Sequence, residues 1–370
     1  MFCNFVRKNL GRFKSEIRQL SGALAEEKLA DQSRMQSWQV HSYGEDMLLS
    51  SIRIPIVYDT NEVLIQVEAA SVNPIDVYMK DGYARTVLNL LRRNEMELPM
   101  TLGRDFCGTV VCKGLSVNSK YKIGDRVYGF IPLHKQGSFA QYVLADDGHI
   151  CHHPKQLSPG ESASIVYAAM TAWGALFITG GLQFGNSENK RVLILGASGG
   201  VGTIALQLLK SQKVHVTGSC STNAVPLVKS LGADDVLDYT QPDYLKEISD
   251  RRFDIILDCA KFGADNIPRN WKFKQFISLN SPLMLNTDQY GLAGGLLKSG
   301  GTLLGTNIPH LKDGKVIKWG FFIPSESGFK FVHELVKNRE IKPMLHKEFD
   351  FGQLPDAFDE VKKVTYEVKL

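Results

Sequence analysis

The sequence has no clustered cysteines. Its six, Cys3, Cys107, Cys112, Cys151, Cys220 and Cys259, are scattered through 370 residues without a C-x-x-C pair. That spacing argues against a disulfide framework and against a structural zinc lobe. It reads as reduced thiols, most of them small core residues. No stretch of 18 uninterrupted apolar residues occurs, so no membrane-spanning helix is expected. Internal repeats and low-complexity tracts are absent too, which excludes solenoids and fibrous arrays. The body of the chain also lacks an excess of either charge. Seven basic and four acidic side chains among residues 1–34 carry three of the four net positive charges. An electrostatic nucleic-acid footprint is therefore not expected.

What is present is a globular composition, with 44% hydrophobic and 22% charged residues, in a chain long enough for two domains. Thirty-three glycines suit an α/β fold with many tight strand-to-helix turns. The first 18 residues carry five basic side chains and one acid. Phe2, Phe5, Val6, Leu10, Phe13, Ile17 and Leu20 recur at helical spacing. This pattern predicts a mitochondrial presequence in residues 1–34; the alternative is an ordinary amphipathic helix or tail.

From residue 37 to 150 the pattern is β-rich. Ser37–Tyr43, Glu62–Ala70, Gly108–Lys113, Arg126–Pro132 and Phe139–Leu144 are short runs with β-branched or aromatic residues, separated by turn residues such as Lys122-Ile-Gly-Asp125. Such spacing predicts a barrel-like domain over 35–160. Residues 85–99 interrupt it as a surface excursion or short helix. Near Ser158 the pattern changes. Ser158-Pro-Gly-Glu161 opens a capped helix, and from Arg191 strands and helices alternate: VLILGA, VHVTGSC, DDVLDY, FDIILDCA and GTLLGTN read as the strands. Apolar strands alternating with helices predict a parallel sheet covered on both faces over 161–324. Residues 325–370 are expected to return to the first domain.

The most specific motif is Gly196-Ala-Ser198-Gly199-Gly200-Val201-Gly202 between a buried strand and a helix. Its glycines let backbone approach a pyrophosphate, the helix N-terminus offers amides and a positive dipole end, and Ser198 can donate a hydroxyl. A plain tight turn is the alternative. An acid usually ends the next strand to hold a ribose 2′-hydroxyl. Here Ser221 and Thr222 stand in that place, which favours NADPH over NADH. Lys229 and Tyr239 are further candidates for that pocket, with a solvated helix face and a strand-end aromatic as the alternatives.

With these motifs, Ala70-Ser-Val-Asn-Pro-Ile-Asp76, Leu102-Gly-Arg-Asp105, Gly124-Asp-Arg-Val127, Gly137-Ser-Phe-Ala-Gln-Tyr142, Ala169-Met-Thr-Ala-Trp173 and Leu231-Gly-Ala-Asp-Asp235, the sequence resembles the quinone oxidoreductase branch of the medium-chain dehydrogenases/reductases across about residues 37–360. The resemblance implies a GroES-like β-rich barrel domain joined to a doubly wound Rossmann domain. Zinc-dependent relatives carry Cys where this chain has Asn73 and His where it has Arg104, so a zinc-free enzyme is implied. It also implies that the acceptor lies over the nicotinamide, in contact with Asn73, Asp76 and Tyr78. The alternatives are a turn at Asn73-Pro74 and an Asp76 bonded to backbone. Arg104 and Asp105 are expected to form a structural ion pair. Further implied cofactor contacts are Ser198, Gly200, Val201, Ser221, Tyr239, Asn280 and Phe322; ordinary turn and core roles are the alternatives for the last two. The expected function is an NADPH-dependent hydride transfer to a quinone, in mitochondria, with the matrix ahead of the outer membrane. Enone reduction, or a cofactor-binding interaction protein with little turnover, are the other readings. A reticulon-family partner and a homodimer through an edge strand are implied by resemblance.

Overall fold

The computed structural model describes residues 33–92, 96–117, 119–185 and 187–367. The expected presequence lies outside them. The described chain divides into two compact units. Residues up to Gly82, with Arg92–Ser164 and Lys347–Val361, form the first; Tyr83–Leu91, Ile165–His346 and the residues from Lys362 form the second. The sequence reading placed the first boundary at 160/161 and the return at 325. The boundary instead falls inside a helix at Ser164, and the return comes at Lys347.

The first unit holds β1 (Arg34–Val40), β2 (Leu48–Arg53), β3 (Glu62–Ala69), α1 (Pro74–Lys80), β4 (Met100–Thr101), β5 (Asp105–Lys113), β6 (Arg126–Phe130), β7 (Tyr142–Asp146) and β8 (Ile150–His152). α2 (Arg85–Arg92), between α1 and β4, falls with the second unit apart from Arg92. Five antiparallel strands run β7-β3-β5-β6-β8, and three run β2-β1-β4. β3 pairs with both β5 and β7, and its Val63 and Ile65 meet Phe106, Val110, Val127 and Val143 in a dry core. Burying these β-branched and aromatic side chains stabilises the unit by about 1.5–3 kcal/mol each. α3 (Pro159–Trp173) starts as expected: Glu161 N–H donates to Ser158 Oγ at 3.2 Å, and Ser158 N–H to Glu161 Oε2 at 2.7 Å. With its continuation to Thr179 it is long and apolar enough to cross a membrane, but 72% of that window is buried in the protein.

In the second unit, β9 (Arg191–Leu195), β10 (His215–Cys220), β11 (Asp235–Asp238), β12 (Arg252–Asp258), β13 (Lys272–Ser278) and β14 (Val316–Trp319) form one parallel sheet in the order β11-β10-β9-β12-β13-β14. α4 (Gly200–Ser211), α5 (Val225–Ser230) and α6 (Tyr244–Ser249) connect its first strands. Order reverses at β9, so the strand ends beside it form the crevice where doubly wound sheets take ligands. Val192, Leu193 and Ile194 are fully buried, as a two-faced strand requires.

One strand assignment is corrected. GTLLGTN lies inside α7 (Leu283–Leu311), and the sixth strand is Val316–Trp319. Helical spacing wins there because it lets Asn307 reach β14: its Nδ2 donates to Ile317 O at 3.0 Å and its Oδ1 accepts from Ile317 N–H at 2.8 Å. Both groups point away from β13, so this position of the sheet edge is already capped. α7 breaks at Gly291, whose φ of +70° admits no ordinary helical residue. α8 (Glu326–Lys337) and α9 (Leu354–Glu367) follow.

Cys107, Cys151, Cys220 and Cys259 are free thiols as expected.

Candidate active site

The chain leaves β9 through Gly196, in the left-handed region at φ +78°, and Ala197 N–H donates to Ser219 O at 2.8 Å. Gly199 caps α4 in an extended conformation. Thr203 N–H donates to Gly199 O at 2.9 Å. The amides of Gly200, Val201 and Gly202 therefore precede the first intrahelical bond and open the helix at its positive end. A Cβ on Gly200 would meet nothing within 4 Å, and one on Gly199 only Gly196 O at 3.4 Å. Ser198 is half-buried, and Gly199 and Gly200 are exposed. The space in front of these amides fits a pyrophosphate. Gly202 does a different job. A Cβ there would collide with Gly196 O and sit 2.9 Å from Ala197 Cα, so its missing side chain lets the helix press on the turn.

At the end of β10, Ser221 is half-buried and caps a short 3₁₀ turn. Thr222 Oγ1 donates to Asp238 Oδ2 at 2.6 Å and lies 2.9 Å from Thr240 Oγ1. Asp238 also accepts from Thr240 N–H at 2.9 Å and Gln241 Nε2 at 3.3 Å. The Thr222 hydroxyl first, then the Thr240 donors, hold this carboxyl down at about 2. Sequence reasoning missed this acid beside Thr222, because the register that pairs Cys220 with Asp238 is a tertiary fact. Tyr239 follows it, with its ring edge-on to Tyr244 at 6.5 Å. Lys229 is exposed on α5.

Asn280 is exposed just past β13, and its N–H donates to Ser278 Oγ at 3.1 Å. Phe322 stacks on Tyr167 at 4.6 Å, with 6° between the rings. Asp258, at the end of β12, was also missed. Its carboxylate accepts from the amides of Ala260, Phe262 and Gly263 at 3.0–3.1 Å and so shapes the loop that packs Ala260 against Gly196. Burial pushes the neighbouring Cys259 thiol far up, which disfavours the thiolate.

In the first unit, Asn73 caps α1, with Pro74 in the first turn fixing its start. Asn73 N–H donates to Asp76 Oδ2 at 2.9 Å. Its amide Nδ2 donates inward, to Asp105 Oδ2 at 3.2 Å and Ser71 Oγ at 3.2 Å. Tyr78 is half-buried one turn on. Asp76 is 0% exposed, and its Oδ1 accepts from Gly103 N–H at 2.9 Å. The arrangement is the backbone-bonded alternative raised for Asp76. The ion pair expected between Arg104 and Asp105 is placed otherwise: Arg104 Nε lies 3.8 Å from Asp76 Oδ1, and both residues are fully buried. Arg104 also donates from Nη1 to the carbonyls of Pro132, Leu133 and Lys135, and from Nη2 to Thr101 O, all within 3.0–3.3 Å. Asp105 instead accepts from Ser71 N–H at 3.0 Å and Ser71 Oγ at 2.8 Å.

Burial is the first cause that lifts both carboxyls, Asp76 to about 6 and Asp105 to about 7. Arg104 restrains Asp76, whereas the charge of Asp76 lifts Asp105 further, so Asp105 is the one that holds a proton near neutrality. Its ordinary value is 3.8, so between 3.8 and about 7 the folded state binds the proton that the unfolded chain has released. Stability from this group is greatest below 3.8 and is lost as pH rises to about 7. Denaturant titrations of parent and Asp105→Asn should diverge across that window, with the variant gaining relative stability as pH rises. Taking the difference cancels His153 and His310, whose lowered values act in the opposite sense. Equal slopes for the two proteins would remove this account of Asp105.

A zinc ion does not fit here. A carboxamide and a guanidinium stand where the zinc-dependent pattern puts Cys and His, and that guanidinium is spent on carbonyl oxygens. Among the described residues no group of three or more His, Cys, Asp and Glu side chains is placed to hold a metal.

Residues 59–155 match the family model of the alcohol dehydrogenase GroES-like domain, and residues 231–365 that of the zinc-binding dehydrogenase. The chain is similar to a Drosophila melanogaster protein named NAD(P)H oxidoreductase RTN4IP1, mitochondrial: 42% identical over 347 residues, covering 89% of this chain and 84% of that one. The Homo sapiens protein of the same name is 39% identical over 344 residues, covering 89% and 86%. Among solved structures, the quinone oxidoreductase from Coxiella burnetii superposes with a TM-score of 0.70 at 24% identity, covering 90% of this chain and 96% of that one.

Proposed function

We propose, for a chain that belongs to the medium-chain dehydrogenase/reductase family and within it to the NAD(P)H oxidoreductases related to RTN4IP1, that it is an NADPH-dependent, zinc-independent mitochondrial quinone reductase. Nicotinamide-linked oxidoreductase chemistry follows from the membership. The choice of NADPH rests on one observation: no carboxylate ends β10, and Ser221 stands there instead. A serine hydroxyl can donate to a 2′-phosphate, which a carboxylate would repel. When bound, NADPH supplies a hydride. The amides of Gly200, Val201 and Gly202, with the Ser198 hydroxyl, are proposed to hold its pyrophosphate, and Tyr239 its adenosine end; Asn280 and Phe322 are proposed further contacts. Asn73 and Tyr78 are proposed to contact and orient the acceptor, with the Tyr78 hydroxyl stabilising charge on its oxygen, since the Asn73 amide donates to Asp105 and Ser71. Asp76, fully buried, is proposed to act at one remove by fixing the start of α1. A mitochondrial address is supported by the relatives' names and by the basic amphipathic N-terminus. Any homodimer is proposed to use a surface other than backbone pairing at Ile317, which Asn307 occupies.

NADH is a second reading, favoured by Asp238, whose carboxylate lies one bond from Thr222. Paired titrations separate the two. Ser221→Asp should weaken NADPH binding by about tenfold or more and leave NADH unchanged. With a short-chain ubiquinone as acceptor, Asn73→Ala combined with Tyr78→Phe should lower kcat/KM by roughly tenfold to a hundredfold. A double variant that matched the parent would remove the acceptor assignment. Tighter binding of NADH than of NADPH by the parent would overturn the cofactor choice.

A further inference from the structure

Beyond Gly291, α7 runs for about 30 Å with an apolar face turned to solvent. Leu297 is 80% exposed, Leu304 67%, Ile308 64% and Leu311 61%, with Leu292 and Leu296 also exposed. Leu297, Leu304, Ile308 and Leu311, seven, four and three residues apart, form one stripe along the helix, with Leu292 and Leu296 flanking it. Soluble surfaces scatter such residues singly; a continuous stripe marks a contact.

Charge says what the contact is. From residue 289 to 312 the chain has no acidic residue and carries Lys298 and Lys312. Lys298 donates to Tyr290 Oη at 2.8 Å and lies 4.1 Å above its ring, an amphipathic pair suited to a polar–apolar boundary. Asp288, the acid before the stripe, is taken up by the amides of Ala84 and Thr86 at the start of α2. α2 repeats the composition: Leu90 and Leu91 are exposed, Arg85 is exposed, and it has no acid. Asp313, past the stripe, pairs with Lys315. A second copy docked symmetrically on this face would set lysines against lysines. Strand pairing at the adjacent sheet edge is closed at Ile317 by Asn307. An anionic surface complements both the leucines and the lysines.

We infer that the exposed face of α7 docks on an anionic phospholipid surface, lying in the headgroup plane with its leucines in the acyl boundary and Lys298 and Lys312 among the phosphates. The inference stands apart from the quinone reading, because its assay contains no acceptor. Co-sedimentation of the full chain with vesicles of phosphatidylcholine plus phosphatidylglycerol, against phosphatidylcholine alone, tests it. Binding is expected to the anionic vesicles, weakening as salt rises. Leu297→Glu with Leu304→Glu, both at exposed positions, should reduce bound protein by about tenfold or more at unchanged melting temperature. Lys298→Glu with Lys312→Glu should abolish the preference for anionic lipid. Failure of the parent to sediment with either vesicle overturns the inference, as does equal sedimentation of the parent and the leucine variant. A parent that is dimeric, binds no lipid, and becomes monomeric in the leucine variant would assign the face to a second copy instead.

Discussion

Gly202→Ala should abolish binding of a nicotinamide nucleotide, although it adds one methyl group. The added Cβ collides with Gly196 O and comes within 3.0 Å of Ala197 Cα and C. All three are backbone atoms, and none can rotate away. Gly196 is itself fixed, since its φ is +78° and Ala260 packs against it. Relief must come from α4 moving off the turn, and that motion carries away the amides of Gly200 and Val201. Overpacking of this kind costs about 1–3 kcal/mol in stability. Losing two amide bonds to a charged phosphate costs about 1.5–3 kcal/mol each, a weakening of roughly a hundredfold or more. Gly200→Ala is the matched control. Its Cβ meets nothing within 4 Å, so the fold should melt as the parent does. Any loss of nucleotide affinity in that variant reports how closely the phosphate approaches. Calorimetric titration and thermal melting of both variants decide the matter: if Gly202→Ala bound the nucleotide as tightly as the parent, the turn would not be the pyrophosphate site.

Those glycines were legible in the sequence because each reports a local backbone demand. A strand followed by Gly-x-x-Gly and a helix has few alternative geometries, and the β9–α4 unit has the predicted form. The capping box at Ser158 and Glu161 is local in the same sense. What escaped the reading is set by pairing between distant segments. Asp238 meets Thr222 only because β11 lies beside β10 in one particular register. Arg104 chooses Asp76, 28 positions away, over its neighbour Asp105, because Gly103 and α1 bring Asp76 to the same buried layer. The run GTLLGTN had β-like composition and lacked a strand neighbour to pair with. The side-chain bonds of Asn307 to β14 gave the helical state an anchor that no window of sequence displays.

Arg104→Met should destabilise the first unit by about 3–5 kcal/mol, because it removes one charge from a buried pair and leaves the other. Methionine restores much of the volume and none of the donors. Four carbonyls, of Thr101, Pro132, Leu133 and Lys135, each lose a donor, although Thr101 O keeps the Gly137 amide and Pro132 O the Lys135 amide. Arg104→Lys should fare little better, since a single ammonium cannot span carbonyls that a planar fork reaches together. The loss also has a pH signature. Without the guanidinium only the hydrogen bonds from Asn73 and Gly103 oppose the burial that lifts Asp76 from 3.8 to about 6, so its value rises further. Parent and variant lose stability in parallel between 3.8 and about 6, so the penalty of Arg104→Met should be flat there and grow above about pH 6, where only the variant still holds the Asp76 proton. Asp76→Asn, neutral at every pH, should remove that growth when combined with Arg104→Met and recover part of the lost stability, giving a coupling of about 0.5–3 kcal/mol in the double-mutant cycle. Additive losses, or a penalty flat in pH, would mean that Arg104 acts through its four carbonyls alone and that Asp76 keeps its charge by other means.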